Sequence, residues 1–414
     1  METRELFWSL DGARILLFYV VGTAAIAIFL YGCWRHYAKY RRGASLTVEF
    51  DLWQGVKTML VSVFTHRTVR KRDLIAGYAH AGIFFGFLIA FIGTSIIFID
   101  YDIFKPIFGF SFWKGNFYLW FSLFLDLGHL ALTAGLLVMI LRRATWSLPK
   151  LNYMRSYRGE TELRPKARAW QVEDWVFLLT LLVLEITGFL LEGVRLLSEP
   201  VDWAISSPIG LGVAKLLSVL GVSPETATVI RSYNWWFHGI LALAFTAAIP
   251  WYKAKHIIAV LGSLALRDPK ALRRLPNVPE ESDTDDEGSD KIGYADISDF
   301  TWKDMLNLDA CTKCGRCHDV CPARTTGYPL SPRDLVLDLR THNDETQGCA
   351  SETIDLVGDV LDADTIWSCR SCGACQDICP VGVEHPAMIV QMRRHLVDQG
   401  EMDPNLKSTL DTIA

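Results

Sequence analysis

The sequence predicts an all-α protein in which a five-helix membrane bundle is followed by a mostly helical, cysteine-rich domain. Three observations support this fold class: five long apolar stretches, a charge balance that changes sign along the chain, and cysteines that cluster toward the C-terminus. The 414 residues are 50% hydrophobic and only 21% charged, with a mean hydropathy of +0.21. A composition this apolar excludes a disordered chain and is not that of an ordinary soluble enzyme.

Five apolar stretches are long enough to cross a bilayer. A helix needs about 20 residues to span a hydrocarbon core of about 30 Å. Three of the stretches contain no Asp, Glu, Lys or Arg, and the other two contain few. The predicted spans are Ile15–Trp34, Leu74–Ile99, Phe117–Leu141, Trp175–Leu197 and Ser232–Tyr252.

Basic residues in the connecting segments predict the orientation. Residues 35–73 contain nine Lys and Arg and residues 142–173 contain eight, whereas the three opposite segments contain five in total. Because Lys and Arg favour the cytoplasmic side, we expect a multi-pass protein of the cytoplasmic (inner) membrane with its N-terminus outside. The N-terminal residues lack a basic segment followed by an apolar segment and a cleavage site, so no cleavable signal is expected.

The net charge of −5 is the average of two unlike parts. Residues 1–270 contain 28 Lys and Arg against 19 Asp and Glu, and residues 271–414 contain 13 against 27. Such an asymmetry indicates separate domains. We place a membrane domain at 1–266 and a cytoplasmic domain at 296–414, with a linker at 267–295 whose acidic run cannot bury apolar surface.

Four histidines lie within or near the predicted spans at two depths. His80 and His256 lie toward the cytoplasmic face, and His129 and His238 lie farther out. His238 and His256 are eighteen residues apart, which is five helical turns, so they share a helix face if Pro250 does not bend the helix. Two histidines from different helices can hold a b haem through both axial positions. The alternative for each is an interhelical hydrogen bond.

The membrane part resembles the gamma subunit of respiratory nitrate reductase, a quinol-oxidising dihaem cytochrome b. The similar strings are Gly-Tyr-Ala-His-Ala-Gly-Ile at 77–83 and Lys-His-Ile-Ile at 255–258. The resemblance implies that His80 and His256 bind the inner haem and that His238 binds the outer one. The fourth ligand of the family falls at Ala90 in this chain. We therefore predict His129 as its substitute, with His66 as the rival.

Charged residues inside the spans suggest a role in quinone chemistry. Asp126 precedes His129 by three residues and lies on the same helix face. Glu185 lies near the middle of the fourth span, and Glu192 and Arg195 lie nearer its outer end. Because quinone reduction and oxidation move protons with electrons, Asp126 and Glu185 are candidate proton relays. A structural hydrogen bond is the alternative for Glu185.

The strongest motif is a repeated run of four cysteines. Cys311-Thr-Lys-Cys314-Gly-Arg-Cys317-His-Asp-Val-Cys321-Pro322 has the spacing C-x2-C-x2-C-x3-C-P, and the same spacing recurs 58 residues later. Zinc sites usually use two pairs of ligands, whereas this spacing is typical of [4Fe-4S] clusters, in which the fourth cysteine ligates the other cluster. The predicted sets are Cys311, Cys314, Cys317 and Cys379, and Cys369, Cys372, Cys375 and Cys321.

Short helices are predicted between the runs at Leu335–Leu339 and Thr353–Leu361, and an amphipathic helix after them at Ala387–Val397. This part resembles the dicluster domain of heterodisulfide-reductase-type and succinate-dehydrogenase-type iron–sulfur subunits, and the stretch at 311–332 is most similar to the former. Membrane-bound members of that group fuse a nitrate-reductase-gamma-like domain to this domain, so the resemblance covers nearly the whole chain.

Larger relatives of this group continue into Cys-Cys-Gly modules that bind a catalytic cluster. The sequence has no adjacent cysteine pair, so we expect that site to belong to a partner subunit or to be missing. Cys349 and Cys33 are outside the two runs. Cys349 is expected to be a buried structural thiol, and Cys33 is expected to be structural as well.

These features predict an electron-transfer subunit between the quinone pool and a cytoplasmic redox partner, working through two b haems and two [4Fe-4S] clusters. The partner is expected to be a Cys-Cys-Gly reductase, a flavoprotein or a sulfur enzyme in a hetero-oligomer. There is no G-x-G-x-x-G or P-loop motif, and no nucleic-acid partner is expected. Two alternatives stay open: a non-catalytic anchor and electron wire, and a membrane tether for a ferredoxin in which the histidines are structural.

Overall fold

The computed structural model forms two compact units. It describes residues 2–8, 10–46, 50–71, 73–146, 148–157, 160–163, 166–271, 275, 292–351 and 354–413. The first, called the apolar-helix unit, comprises Met1–Tyr31, Val69–Trp146 and Gln171–Tyr252. The second, called the cysteine unit, comprises Gly32–Thr68, Ser147–Trp170 and Lys253–Ala414. The acidic run of the predicted linker, at 280–290, lies outside the described residues.

Helices account for most of the described residues. Up to Ala265 they are α1 (Gly12–Tyr40), α2 (Leu52–Thr65), α3 (Arg67–Arg70), α4 (Leu74–Phe98), α5 (Lys105–Phe108), α6 (Gly115–Thr145), α7 (Ala167–Ser198), α8 (Pro208–Val219), α9 (Pro224–Ala248) and α10 (His256–Ala265). After it they are α11 (Trp302–Ala310), α12 (Arg316–Val320), α13 (Pro322–Thr325), α14 (Pro332–Thr346), α15 (Ala363–Trp367), α16 (Ala374–Ile378), α17 (His385–Asp398) and α18 (Pro404–Ile413).

The helical class is confirmed, and one hairpin adds to it. Strands β1 (Met154–Tyr157) and β2 (Glu160–Leu163) pair antiparallel in the cysteine unit, with Met154 opposite Leu163. The predicted helix at Leu335–Leu339 is part of α14, and the one at Ala387–Val397 is part of α17. The predicted helix at Thr353–Leu361 is wrong for its described residues, because a tight turn closed by Leu361 N–H donating to Leu356 O takes its place.

Four of the predicted spans are helices that are long and apolar enough to cross a membrane. They are α1, α6, α7 and a helical stretch from Leu74 to Phe108, in which a π-helical turn at Ile99–Phe104 joins α4 to α5. The fifth predicted span lies in α9, which is 25 residues long but is not among the four. Polar residues of α9, including Asn234 and His238, lower its hydropathy. A five-helix membrane bundle is therefore not confirmed.

The helix that was predicted to carry both His238 and His256 is broken. Helix α9 ends at Ala248, a 3-10 turn covers Lys253–Lys255, and α10 begins at His256. Pro250 lies in the break, and proline both lacks an N–H donor and clashes with the preceding turn of a helix. The prediction that the two histidines share one continuous helix face is wrong.

Glycines allow α4 and α6 to pack very closely in the apolar-helix unit. A Cβ atom on Gly86 would lie 2.4 Å from Gly128 O, and one on Gly135 would lie 2.4 Å from Ala79 O. Small residues at such contacts let two backbones approach, which is a common way for helices to associate in membranes. Glycines from both helices line this contact, so neither backbone could stay in place with larger residues.

The cysteine unit has an apolar core and a buried ionic network. Asp309, at the end of α11, accepts from Lys39 Nζ and from Lys255 Nζ, each at 2.8 Å. Both lysines also pair with Asp344 of α14, at 2.6 and 2.9 Å. Burial alone would raise the pKa of Asp309, but the two ammonium groups outweigh it and hold the pKa well below its usual value. The network joins α11, which ends just before the first cysteine run, to α14, which follows that run.

Substituting Gly86 tests the close packing of α4 on α6. We expect Gly86→Ala to lower the unfolding temperature of the purified protein, because an added methyl forces two backbones apart at a cost of about 1–3 kcal/mol. Gly212→Ala is the matched control, since a Cβ there meets nothing within 4 Å and alanine favours a helix over glycine. Equal unfolding temperatures for the two variants would contradict the packing.

Candidate metal centres

The two cysteine runs fold into the same local structure. In the first run Lys313 and Gly315 have positive φ values of 59° and 73°, and in the second Ser371 and Gly373 have 49° and 73°. Each glycine precedes a five-residue helix, α12 or α16. The matching left-handed positions turn each run back on itself. Three thiols of each run are thereby brought to one short turn of chain.

One set of thiols joins the first run to the last cysteine of the second. Burial raises the pKa of Cys317 well above its usual value, and the nearby Cys314, Cys311 and Cys379 raise it further. Burial followed by the effect of Cys314 likewise raises the pKa of Cys379 to about 12. Thiols influence one another in this way only when they are close. Cys311, Cys314, Cys317 and Cys379 are therefore gathered together.

The other set has the complementary composition. Burial raises the pKa of Cys321, and Cys369 and Cys372 raise it further. The pKa of Cys375 is also raised, first by burial and then by Cys369, Cys321 and Cys372. The fourth cysteine of each run thus lies with the first three of the other run. This is the crossed arrangement that the spacing predicts.

The two sets are neighbours. Cys317 and Cys375, the third cysteines of the two runs, pack in one small buried cluster with Ile378 and Val320. Within the described residues, no three His, Cys, Asp or Glu side chains converge closely enough for a single metal ion. Each set consists of four thiols. The protein places two such sets side by side.

Backbone amides point at several of the sulfurs. Val383 N–H donates to Cys379 Sγ at 3.4 Å, and Ser371 N–H donates to Cys369 Sγ at 3.3 Å. Such N–H groups stabilise the negative charge of a thiolate or of a bound cluster and influence its reduction potential. The turn geometry of the two runs therefore serves both to gather the thiols and to direct donors toward them.

An arginine lies beside the first cysteine of each run. Arg340 of α14, which is buried, donates through Nη1 to Cys311 O at 3.0 Å. Arg393 of α17 donates through Nη2 to Cys369 O at 2.5 Å and also bonds the carbonyls of Ile366 and Trp367. The two guanidinium groups occupy equivalent places relative to the two thiol sets. In the sequence, the distances of Arg340 and Arg393 from the cysteine runs do not indicate this placement.

In the apolar-helix unit, the structure brings His129 and His238 to neighbouring side chains of α7. Glu185 Oε2 lies 2.9 Å from His129 Nδ1, and Thr187 Oγ1 lies 2.9 Å from His238 Nδ1. The two imidazoles are close enough to interact electrostatically. Asn234 donates to Thr187 O at 2.8 Å and holds the same turn of α7. In both rings Nδ1 is engaged, which leaves Nε2 as the remaining ring nitrogen.

Asp126 has a structural partner. Its carboxylate accepts from Ile209 N–H at 2.6 Å and from Gly210 N–H at 3.3 Å, and thereby caps the start of α8. It also interacts electrostatically with His129 and Glu192. Buried carboxylates at helix N-termini are stabilised by such donors. No local pattern indicates this cap, because α8 is distant from Asp126 along the chain.

The remaining histidines lie as follows. His80 is half-buried on α4 in the apolar-helix unit, and His256 begins α10 in the cysteine unit. His256 Nδ1 donates to Lys253 O at 2.6 Å, which leaves Nε2 as its other nitrogen. His66 ends α2 with a positive φ of 51° and is buried. It is outside the long apolar helices, as the sequence indicates.

The two cysteines outside the runs lie in different surroundings. Cys349 is exposed, so the prediction that it is buried is wrong. It follows the left-handed pair Gln347 and Gly348 at the end of α14, where the chain turns at the surface. Cys33 is half-buried inside α1 rather than at its end.

Comparison with known proteins identifies the cysteine runs. Residues 307–383 match the 4Fe-4S dicluster domain family, and the match supports two [4Fe-4S] clusters. The EtfAB:quinone oxidoreductase of Syntrophomonas wolfei is 30% identical over 93% of this chain and 55% of that protein. The probable iron-sulfur-binding oxidoreductase FadF of Bacillus subtilis is 29% identical over 97% of this chain and 58% of that protein.

A third relative matches a shorter segment. The probable membrane-anchored ferredoxin of Chromohalobacter salexigens is 38% identical over 27% of this chain. The chain is related to membrane-anchored iron–sulfur oxidoreductases. It spans little more than half the length of the two oxidoreductases that it matches along most of its own length. No solved structure matches it. The dicluster part of the resemblance is thus confirmed, and the cytochrome b part stays a prediction.

Sequence reasoning missed the residues that support the candidate ligands. Thr187 and Asn234 position His238, and Arg340 and Arg393 lie beside the clusters. Two of these residues lie close in sequence to a predicted site residue, which is a partial signal. Thr187 follows Glu185 by two residues, and Asn234 precedes His238 by one helical turn on the same face. Nothing in the local sequence marks the two arginines.

Neutralising each arginine should shift the potential of one cluster only. A unit charge about 10 Å away at an effective dielectric of about 20 contributes about 1.7 kcal/mol, which is roughly 70 mV for one electron. We therefore expect Arg340→Gln to lower the potential of the cluster beside Cys311, and Arg393→Gln to lower that of the cluster beside Cys369. Potentiometric titration followed by electron paramagnetic resonance measures both.

The matched control is Arg370→Gln. Arg370 follows Cys369 directly but is exposed, so water and salt screen its charge. We expect it to move neither potential by more than a small fraction of the Arg393→Gln shift. Equal shifts of both clusters in either the Arg340→Gln or the Arg393→Gln variant would contradict the assignment of each arginine to one cluster.

Proposed function

We propose that this chain is a membrane electron-transfer subunit of a quinone-linked oxidoreductase. In this proposal electrons pass between quinone, two b haems, the two [4Fe-4S] clusters and a cytoplasmic redox partner. The observation that carries it is the pair His129 and His238, each held through Nδ1 by a side chain of α7 in a unit of apolar helices. Ligand pairs of this kind, together with the thiol sets, suit one-electron cofactors.

The outer haem is assigned to His129 and His238. A ligating histidine usually donates its second ring N–H to a carboxylate, hydroxyl or carbonyl, which fixes the ring and the tautomer. Glu185 and Thr187 supply such partners here. Gly188 adds room beside the ring, since a Cβ there would meet His238 Cε1 at 3.4 Å. A bound haem would supply one-electron chemistry, and Glu185 and Thr187 would orient the two histidines that hold it.

The inner haem is assigned to His80 and His256. His256 resembles the outer ligands in one respect, because its Nδ1 also makes a hydrogen bond, donating to Lys253 O at 2.6 Å. The strings around both residues carry the resemblance to the dihaem cytochrome b family. The pairing of His80 with His256 rests on that resemblance and on their predicted depth.

The cluster ligands are the two crossed thiol sets. We assign Cys311, Cys314, Cys317 and Cys379 to one [4Fe-4S] cluster and Cys369, Cys372, Cys375 and Cys321 to the other. Cysteine binds iron as the thiolate, so iron binding at these sets is expected to displace protons. The contact of Cys317 with Cys375 supports direct electron exchange between the two clusters.

We assign the transfer of quinone protons to Glu185 and Asp126. Glu185 bonds His129, and Asp126 interacts with both His129 and Glu192. Arg195 holds Glu192 through two bonds, at 2.6 and 3.0 Å. These groups form a polar series along α6 and α7 that runs from His129 toward the outer end of α7. A series of this kind can accept and pass on a proton where apolar side chains cannot.

The relatives support the proposed substrate and partners. The name of the Syntrophomonas relative contains both quinone and EtfAB, and we propose that this chain likewise links quinone to a soluble redox protein. The prevalence of Lys and Arg in residues 35–73 and 142–173 supports a cytoplasmic position for the cysteine unit. We propose a hetero-oligomer in the inner membrane with the N-terminus outside.

A second function is favoured by the geometry of Asp126. Because its carboxylate caps α8 through two backbone donors, its role can be structural. In that case the chain is an anchor and electron wire, and quinone reacts elsewhere. The variants Asp126→Asn and Glu185→Gln distinguish the two functions. If quinone reacts in this chain, both variants should lose haem reduction by quinol while they retain haem. If the chain is an anchor and electron wire, neither variant should change haem reduction.

Haem content tests the proposed function. We expect the purified protein to contain two b haems per chain in a pyridine haemochrome assay. His129→Ala and His238→Ala should each leave one haem, because each removes an axial ligand of the same site. His66→Ala is the control and should keep both.

Three outcomes contradict parts of the assignment. Absence of haem from protein with intact clusters would overturn the electron-transfer path through the membrane. Two haems in His129→Ala would remove His129 from the ligand set. Loss of one haem in His66→Ala, with two in His129→Ala, would establish the rival ligand.

A further inference from the structure

Helix α2 carries an apolar face that the rest of the cysteine unit leaves exposed. The exposed fractions of Trp53, Leu60 and Phe64 are 78%, 45% and 50%. These residues are spaced by seven and four positions, so they lie on one side of the helix. Large exposed apolar faces on folded proteins mark contacts with partners or with membranes.

The opposite face of α2 is fixed by packing. A Cβ atom on Gly55 would lie 1.9 Å from Ala265 O of α10, so the backbones of the two helices are in close contact there. Gly55 is about 200° around the helix from Trp53. The apolar face of α2 therefore points away from α10 and is held in that direction.

Chain connectivity keeps α2 near a membrane surface. It lies between two helices that are apolar and long enough to cross a bilayer, α1 and α4. Only residues 66–73 separate Thr65 from Leu74, and a chain of that length spans at most about 30 Å. A short segment therefore tethers the C-terminal end of α2 to the start of a helix that is long enough to cross a bilayer.

Positive charges flank this face along the chain, and one, on Lys57, lies within it, four residues after Trp53. Exposed Arg41 and Arg42 precede α2, exposed Arg67 and Lys71 follow it, and Lys57 is exposed within it. Asp51, the exposed acidic residue at its start, accepts from Gln54 N–H as the helix cap. Basic residues beside a membrane attract anionic lipid headgroups, and tryptophan prefers the same interfacial layer.

We propose that α2 lies in the headgroup layer and binds anionic phospholipid. Trp53, Leu60 and Phe64 enter the outer part of the acyl-chain region, and Arg67 and Lys71 contact phosphate groups. An apolar face flanked by Lys and Arg is the arrangement of interfacial amphipathic helices. The occupant is the bilayer itself rather than a soluble protein, because the face is tethered to membrane helices on both sides in the sequence.

Photo-crosslinking in a bilayer tests the contact. The full chain is placed in nanodiscs of phosphatidylglycerol and phosphatidylcholine, with the photoreactive p-benzoylphenylalanine at position 64, and lipid adducts are counted by mass spectrometry. Tyr328 is the control position, because it is an aromatic residue of the same unit with 44% of its surface exposed. We expect at least about ten-fold more lipid adduct from position 64 than from position 328.

A second arm tests the preference for anionic lipid. Each Lys or Arg at a membrane surface favours anionic lipid by about five-fold, so Arg67→Gln and Lys71→Gln should each reduce the ratio of phosphatidylglycerol to phosphatidylcholine adducts by about that factor. Lys166→Gln is the control, because Lys166 is exposed and pairs with Glu345, and it should leave the ratio unchanged.

Two results would overturn the proposal. One is equal lipid labelling from positions 64 and 328, and the other is labelling of protein alone from position 64. An unchanged lipid ratio in both charge variants would overturn the anionic preference. The measurement does not depend on haem or clusters, whose contents in the same sample are read separately, so its failure is distinguishable from failure of the proposed function.

Discussion

A four-iron cluster needs four ligands, and one tight turn of C-x2-C-x2-C supplies three. The fourth has to come from elsewhere, and in the proposed ligation each run lends its last cysteine to the other. Two segments 58 residues apart in sequence must therefore close on each other before either site is complete. Helices α11, α14 and α17 and the buried network around Asp309 serve that closure, because they set the positions from which the two runs turn. Metal binding and folding of this unit are expected to be coupled.

The apolar-helix unit obeys a different constraint. A polar group within apolar helices must find its partner inside the protein, since lipid offers none. Helix α7 supplies those partners two residues apart, with Glu185 for His129 and Thr187 for His238. Asp126 is paired in the same way with the start of α8. The histidines are thus oriented by hydrogen bonds that the fold needs in any case, and the proposed cofactor ligation uses the ring nitrogens that remain.

The features that sequence reasoning predicted are those set by local pattern. The dicluster domain follows from the spacing of the runs, and four of the five spans follow from length and hydropathy. The crossed ligand sets stay a prediction. Sequence reasoning failed where tertiary structure decides the outcome. Helix α9 ends before Pro250, and a turn closed by Leu361 replaces a predicted helix. Cys349 is exposed because it lies in a surface turn. The hydrogen-bond partners of His238 and Asp126 come from helices that are distant in the chain, so no sequence pattern predicts them. The exposed face of α2 was also missed, because its fourteen residues are too few for a span.

The crossed ligation is tested most directly by comparing single-cysteine variants spectroscopically. Cys314→Ser alters one cluster and Cys372→Ser alters the other, so their electron paramagnetic resonance spectra provide two references. The account predicts that Cys379→Ser, although it lies in the second run, perturbs the same signal as Cys314→Ser, and that Cys349→Ser perturbs neither. A Cys379→Ser spectrum that matches Cys372→Ser would show that each run holds its own cluster, and would contradict the account.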